Sequence, residues 1–160
     1  MNRLPLAALA AALFIAAAPA PTIIERKVIS SDAAKRMGEV CERFARDKGW
    51  NVSVWVIDEA GHSLYMHRMQ GAPWLSVEPS RMKAQTALQT GRPSSAYEQR
   101  ARERGEYVGV TMALMLDNFM APGGLPVIVE GQVAGAIGVG GAPPGGDEQC
   151  AQAAIDAVLK

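Results

Sequence analysis

The chain has 160 residues, 49% of them hydrophobic, with 16 Lys or Arg against 16 Asp or Glu. That length suits one domain with a real core rather than two. A formal net charge of zero gives no electrostatic drive toward nucleic acid or an anionic membrane.

Arg3 precedes an apolar run from Leu4 to Ala17, closed by Ala18-Pro19-Ala20-Pro21. A short basic start, an apolar middle and small residues at the end are the pattern of a secretory signal peptide, here residues 1–20 with the cut near 17–22. The run is shorter than the roughly 20 apolar residues a bilayer span needs. The expectation is an exported protein, periplasmic or secreted, with no membrane span once the signal is cleaved. Residues 21–29 form a lead-in and 30–160 the domain. Cys41 and Cys150 then meet an oxidising compartment. Neither has a second Cys or a His at metal-ligand spacing. They are either two small buried residues or a single disulfide, the latter requiring the first and last helices to be neighbours.

Ser30, Ser31 and Asp32 are good N-cap residues, and Ala33, Met37, Val40, Cys41 and Phe44 follow at helical spacing until Gly49 stops the helix. Trp50 to Asp58 predicts a strand apolar on both sides, hence covered on both sides. Glu59-Ala60-Gly61 makes a turn, and His62 to Met69 returns as a second strand. Regular alternation there puts Leu64 and Met66 on one face and Tyr65 and His67 on the other. The main helix is expected to start near Pro79, because proline suits a first helical turn, and to end at Gly91-Arg92-Pro93. Ser94 or Ser95 caps a mostly polar helix through Tyr97 to Arg104. Gly105 to Met120, prominent in methionine, fits a helix or a strand equally by period.

Pro122 to Gly141 carries two β-branched runs, Val127 to Val129 and Val133 to Val139, linked by Glu130-Gly131-Gln132. This predicts a hairpin with Gly131 supplying the positive φ of its turn. Gly135, Gly138 and Gly140 interrupt the second arm. Glycine within a strand marks a bulge or a close approach to the backbone, by a ligand, a helix or a neighbouring subunit. Asp147 is expected to cap a last helix whose Cys150, Ala151, Ala154, Ile155 and Val158 share a face. Tight turns at Gly61 and Gly131 join antiparallel neighbours, so the fold class is α+β, a mainly antiparallel sheet with helices packed on it.

Side chains suited to chemistry are few. His62 and His67 are the only histidines, without the spacing of a shared metal site. Each alone suits haem iron, though a lone strand histidine is more often a surface or hydrogen-bonded residue. No serine sits in a G-x-S-x-G elbow and no glycine run makes a phosphate loop. Glu78, Arg81 and Lys83 cluster at the start of the main helix, where they form either a solvated helix end or an anchor for a carboxylate or haem propionate.

Several motifs in order resemble one family. Val56-Ile57-Asp58-Glu59-Ala60-Gly61-His62-Ser63-Leu64 is similar to V-x-D-x-x-G-H-x-L, and Arg68-Met69-Gln70-Gly71-Ala72 to R-M-D-G-A with Gln70 in place of the acid. Lys83-Ala84-Gln85-Thr86-Ala87 resembles K-A-x-T-A. Pro122-Gly123-Gly124-Leu125-Pro126-Val127 and Gly135-Ala136-Ile137-Gly138-Val139 resemble the family's closing hairpin, and Asp147 with Cys150-Ala151 its last helix. The family is GlcG/HbpS, the haem-degrading-like domain also found at the C-terminus of some PduO adenosyltransferases.

The resemblance implies an α/β sandwich with a central antiparallel sheet and helices on both faces, assembling as a homo-oligomer, a dimer or octamer. It implies a small-molecule ligand, haem or a related tetrapyrrole, with His62 on the motif's histidine as the leading ligand candidate; His67 is a candidate by its residue type alone. Lys83 and Thr86 would lie on the helix facing the pocket, and Gly123 and Gly124 at the turn before the third strand. Gln70 and the loop Gly141 to Gly146 depart from the family pattern and argue against an acidic metal site. An enzyme acting on a small carboxylate or hydroxy acid, with Arg81 and Lys83 as anion anchors, is the alternative. A ligand-free interaction module is another.

Overall fold

A computed structural model describes residues 22–104 and 117–159. Its first helix, α1, runs Ser31–Asp47; Ser30 is the N-cap, its side chain accepting the Ala33 amide, and Lys48 and Gly49 close it. Two strands follow, β1 (Ser53–Asp58) and β2 (Ser63–Arg68). A 3-10 turn, Trp74–Ser76, leads into α2 (Val77–Thr90), which ends on Gly91 in the left-handed region. Helix α3 (Ser95–Arg104), strands β3 (Gly124–Val129) and β4 (Gln132–Gly140), and helix α4 (Gly146–Leu159) complete the order. The strands form one antiparallel sheet in the order β2-β1-β4-β3. Helices α1 and α4 pack on each other and on one face, and α2 crosses the other.

The two faces differ in side-chain size, and that difference seats the helices. Toward α1 and α4 the sheet presents Val54, Val56, Leu125, Val127, Ile137 and Val139, all buried with Met37, Cys41, Ala151 and Ala154 of the helices. The Cys41–Cys150 disulfide joins these two helices inside that core, with Cα atoms 4.9 Å apart. Toward α2 the sheet is stripped down. One row across the strands reads Gly124, Gly138, Trp55, Met66 in register. A Cβ at Gly138 would run into the Ser80 carbonyl of α2, and one at Gly124 into the carbonyl of Lys83. Helix α2 therefore lies backbone against backbone on β3 and β4. On β1 the row grows to Trp55, which packs against the cluster holding Ala84 and Ala87 of α2, and on β2 to Met66, which is about half exposed.

The glycines of the closing hairpin thus serve packing within the chain. Gly138 admits α2, and Gly135 admits the lead-in: its missing Cβ would crowd the Ile57 carbonyl and the Ile29 side chain. Ile29 is buried, and its amide bonds the Ala134 carbonyl at 3.1 Å. The turn of the hairpin takes positive φ at both Glu130 (49°) and Gly131 (78°), the two-residue geometry that matches strand twist. At the outer edge of β3, Gly124 is capped by Ser94, whose amide bonds its carbonyl and whose Oγ accepts its amide. Pro126, two residues on, has no N–H to offer, so this edge resists further pairing.

Three expectations need correction. The register shifts between Val56 and Ile57, leaving Leu64 as an extra residue in β2. Leu64 consequently packs with Tyr65 against the α1 core instead of sharing a face with Met66. The main helix starts at Val77 rather than near Pro79, because the 3-10 turn feeds directly into it. Asp147 is a first-turn residue of α4, not its cap. The segment that fits helix or strand equally falls mostly on residues 105–116, outside the described residues.

Gly138→Ala forces a methyl group against helix backbone that has no rotamer with which to move aside. Overpacking costs about 1–3 kcal/mol where side chains yield, and here the upper end or more is expected. A urea-denaturation midpoint equal to that of the parent protein would contradict backbone-to-backbone seating of α2.

Candidate functional site

The two histidines lie on different parts of β2 and its preceding turn, and each is held by a carboxylate. His62 sits in the β1–β2 turn, its side chain 79% exposed, with Nδ1 3.3 Å from Asp58 Oδ2. The other oxygen of Asp58 accepts the backbone amides of Ala60 (2.9 Å) and His62 (2.8 Å). Partial burial pushes the Asp58 carboxyl up, but those two N–H groups and the imidazole outweigh it and hold it below the usual carboxylate range. His67 faces α1, with Nδ1 2.9 Å from Glu42 Oε1. The Tyr65 hydroxyl donates to the same oxygen, and Arg46 approaches Oε2 at 3.6 Å. Burial, followed by the bond to Glu42, pushes the Tyr65 phenol well above its ordinary value. Gly38 makes this possible, since a Cβ there would strike the Tyr65 ring.

The charged residues of α2 are engaged with the chain itself. Arg81 donates to Glu78 Oε1 and to Asp117 Oδ2, both at 2.6 Å. Lys83 is buried; its Nζ donates to the Val139 carbonyl (3.0 Å) and Asp147 Oδ2 (2.7 Å) and lies 5.9 Å from the Phe119 ring centre. Asp147 Oδ1 accepts the Ala142 amide, which ties the loop before α4 to the same ion pair. Thr86, fully buried, donates to the Met82 carbonyl and accepts the Phe119 amide. Gly123 lies beside Lys83 with φ 124°, where a Cβ would fall 2.6 Å from the Val139 carbonyl oxygen. Arg81, Lys83 and Thr86 therefore fasten residues 117–119 and the start of α4 onto α2. This leaves neither cation of α2 without a carboxylate for an incoming anion to displace.

Sequence reasoning named His62 but not Asp58, and His67 but not Glu42 or Tyr65. The four-residue spacing across a tight turn was a usable signal for Asp58. Glu42 sits beside Cys41 on the core-facing side of α1, one turn after Gly38, so a buried charge there was readable too.

Near the His62 turn, Ile24, Glu25, Arg26 and Lys27 of the lead-in, Glu59, and Gln132 and Val133 of β4 line a cleft of about 360 Å³. Its walls combine apolar side chains with charges of both signs, and Lys27 is paired with Glu130 at 3.0 Å, which leaves Arg26 as the cation suited to an acidic substituent of a flat ligand. Among the described residues, no three His, Cys, Asp or Glu side chains converge as metal ligands do, and no helix is long and apolar enough to cross a membrane.

A family model described as haem degrading protein HbpS-like matches residues 29–156. The chain belongs to the HbpS-like family. Protein GlcG of Escherichia coli K12 is 32% identical over 112 residues, 70% of this chain and 81% of GlcG. Among solved structures, Klebsiella pneumoniae protein ORFY superposes with a TM-score of 0.82 at 27% identity, covering 89% of this chain and 98% of that one. A double mutant of Streptomyces reticuli HbpS gives 0.77 at 30% identity, covering 92% and 98%. The antiparallel sheet between helix layers is the HbpS-like fold.

In this HbpS-like chain the Lys83–Asp147 pair is structural, which gives a direct test. Removing one partner of a buried ion pair costs about 3–5 kcal/mol, because the other charge is left uncompensated. Lys83→Met should lose stability on that scale, and adding Asp147→Asn should recover part of it. A Lys83→Met protein as stable as the parent in chemical denaturation would return Lys83 to the role of ligand anchor.

Proposed function

We propose that the protein is an exported binder of haem or a related tetrapyrrole, ligating its iron through His62. The observation that carries this reading is the His62 imidazole, pinned at Nδ1 by a turn-locked carboxylate while its ring stands open to solvent. Metal-ligating histidines characteristically donate their second nitrogen to such a partner, which fixes the ring and strengthens the ligand. Membership of a family described as haem degrading supports the choice of ligand. Arg26 in the neighbouring cleft supplies a cation suited to a propionate. Bound haem would supply an iron centre. The chain's own part is to present one imidazole and to flank the ring with apolar and charged side chains.

Export is supported by the apolar run at Leu4 to Ala17 and by the Cys41–Cys150 disulfide, a bond that persists in oxidising compartments. We assign the mature protein to the periplasm or the extracellular space and expect it to work as a homo-oligomer. The alternative of an enzyme anchoring a small carboxylate on Arg81 and Lys83 is disfavoured, since both cations are already paired.

Adding haem to the purified protein should produce a sharpened Soret band that collapses in His62→Ala and survives in His67→Ala. A band unchanged in His62→Ala contradicts the ligand assignment. Survival there with loss in His67→Ala moves it to the Glu42-held histidine.

A further inference from the structure

The geometry points to Asp58 as the positioning residue that selects the His62 tautomer and so makes Nε2 the ligating atom. The inference rests on His62 being the haem ligand and adds which nitrogen binds and what sets it.

A carboxylate can only accept hydrogen bonds, so a contact from Asp58 Oδ2 to His62 Nδ1 places the proton on Nδ1 and leaves the lone pair on Nε2. The strength of that selection depends on how firmly the carboxylate is held. Oδ1 accepts two amides of the turn, those of Ala60 and His62, so the carboxylate plane is fixed by backbone and not by a mobile side chain. The Asp58 side chain is 16% exposed while His62 is 79% exposed, so the anchor is sheltered and the ring it orients is open. The other histidine has no such private partner. Glu42 is shared among His67, Tyr65 and Arg46; at 2.9 Å it lies closer to its imidazole than Asp58 does, but the ring it holds is only half exposed. Of the two rings, His62 is the more fully presented, 79% exposed against 50%, and its carboxylate is fixed by its own turn.

Asp58→Asn separates positioning from folding. An Asn side-chain oxygen can still accept the Ala60 and His62 amides, so the turn is kept. Its NH2 group then faces Nδ1 as a donor, which reverses the tautomer and puts the proton on Nε2. The test reads imidazole ¹⁵N shifts of the full mature protein without haem, at a fixed pH of about 8, where an unperturbed imidazole is neutral. With two histidines in the sequence, His67→Gln gives the assignment. The expected result is Nδ1–H in the parent and Nε2–H in Asp58→Asn, with haem affinity falling about 10–100-fold in the variant, the range typical for loss of a partner behind a metal ligand. Finding Nε2–H already in the parent overturns the proposal whether or not the variant folds. A reversed tautomer with unchanged haem affinity overturns it as well. If His62→Ala also leaves haem affinity unchanged, the failure is of haem ligation by His62, and the hold of Asp58 on the ring stands apart from it.

Discussion

Helix α2 rests on a floor without side chains. Gly124 and Gly138 leave the carbonyls of Lys83 and Ser80 in contact with strand backbone, and Gly140 does the same for Ser76 at the helix entrance. This seating decides what α2 can do. With its backbone fixed at that depth, Lys83 reaches through to the Val139 carbonyl and Asp147, while Arg81 and Thr86 turn to Asp117 and Phe119. A helix held a few ångströms further out would lose every one of these bonds. The row of side chains grows from glycine under α2, through Trp55 packed against the α2 alanines, to the half-exposed Met66 on β2.

The opposite face achieves cohesion by the reverse means. There, branched side chains of all the central positions interdigitate with α1 and α4, and the Cys41–Cys150 bond fixes those helices to each other. Edge strand β2 is tied down separately, by Tyr65 and His67 converging on Glu42 of α1. The β1–β2 turn lies at the end of the sheet, with Gly61 near Gln85 and Leu88 of α2 and Glu59 beside the lead-in, and it carries the exposed His62 on a backbone locked by Asp58. A rigid scaffold presenting an oriented side chain on a short turn is the usual arrangement of a binding site.

Much of this was readable in the sequence because local rules and global fold agree. Ser30 and Gly49 bracket α1, the Gly61 and Gly131 turns enforce antiparallel pairing, and the motif order fixed the family. The site was less legible for a physical reason: polar contacts between elements distant in sequence leave no periodic trace. Lys83 and Asp147 are separated by 64 positions, and the charges at the start of α2 look the same in a sequence whether they face solvent, a ligand or each other. The glycines of β4 announced a close approach but not by what. The bulge at Leu64 was invisible because a single extra residue changes face assignment without changing composition.

On the proposed function, the charged start of α2 is structural fastening and the β1–β2 turn is the binding element. A diamagnetic porphyrin, such as gallium protoporphyrin IX, added to ¹⁵N-labelled protein distinguishes them in one amide-shift map. The largest changes are predicted at Asp58 to Ser63 and along the Ile24 to Lys27 lead-in. Changes centred on Glu78 to Thr86 with Gly123 and Gly124, and none at the turn, would contradict that assignment.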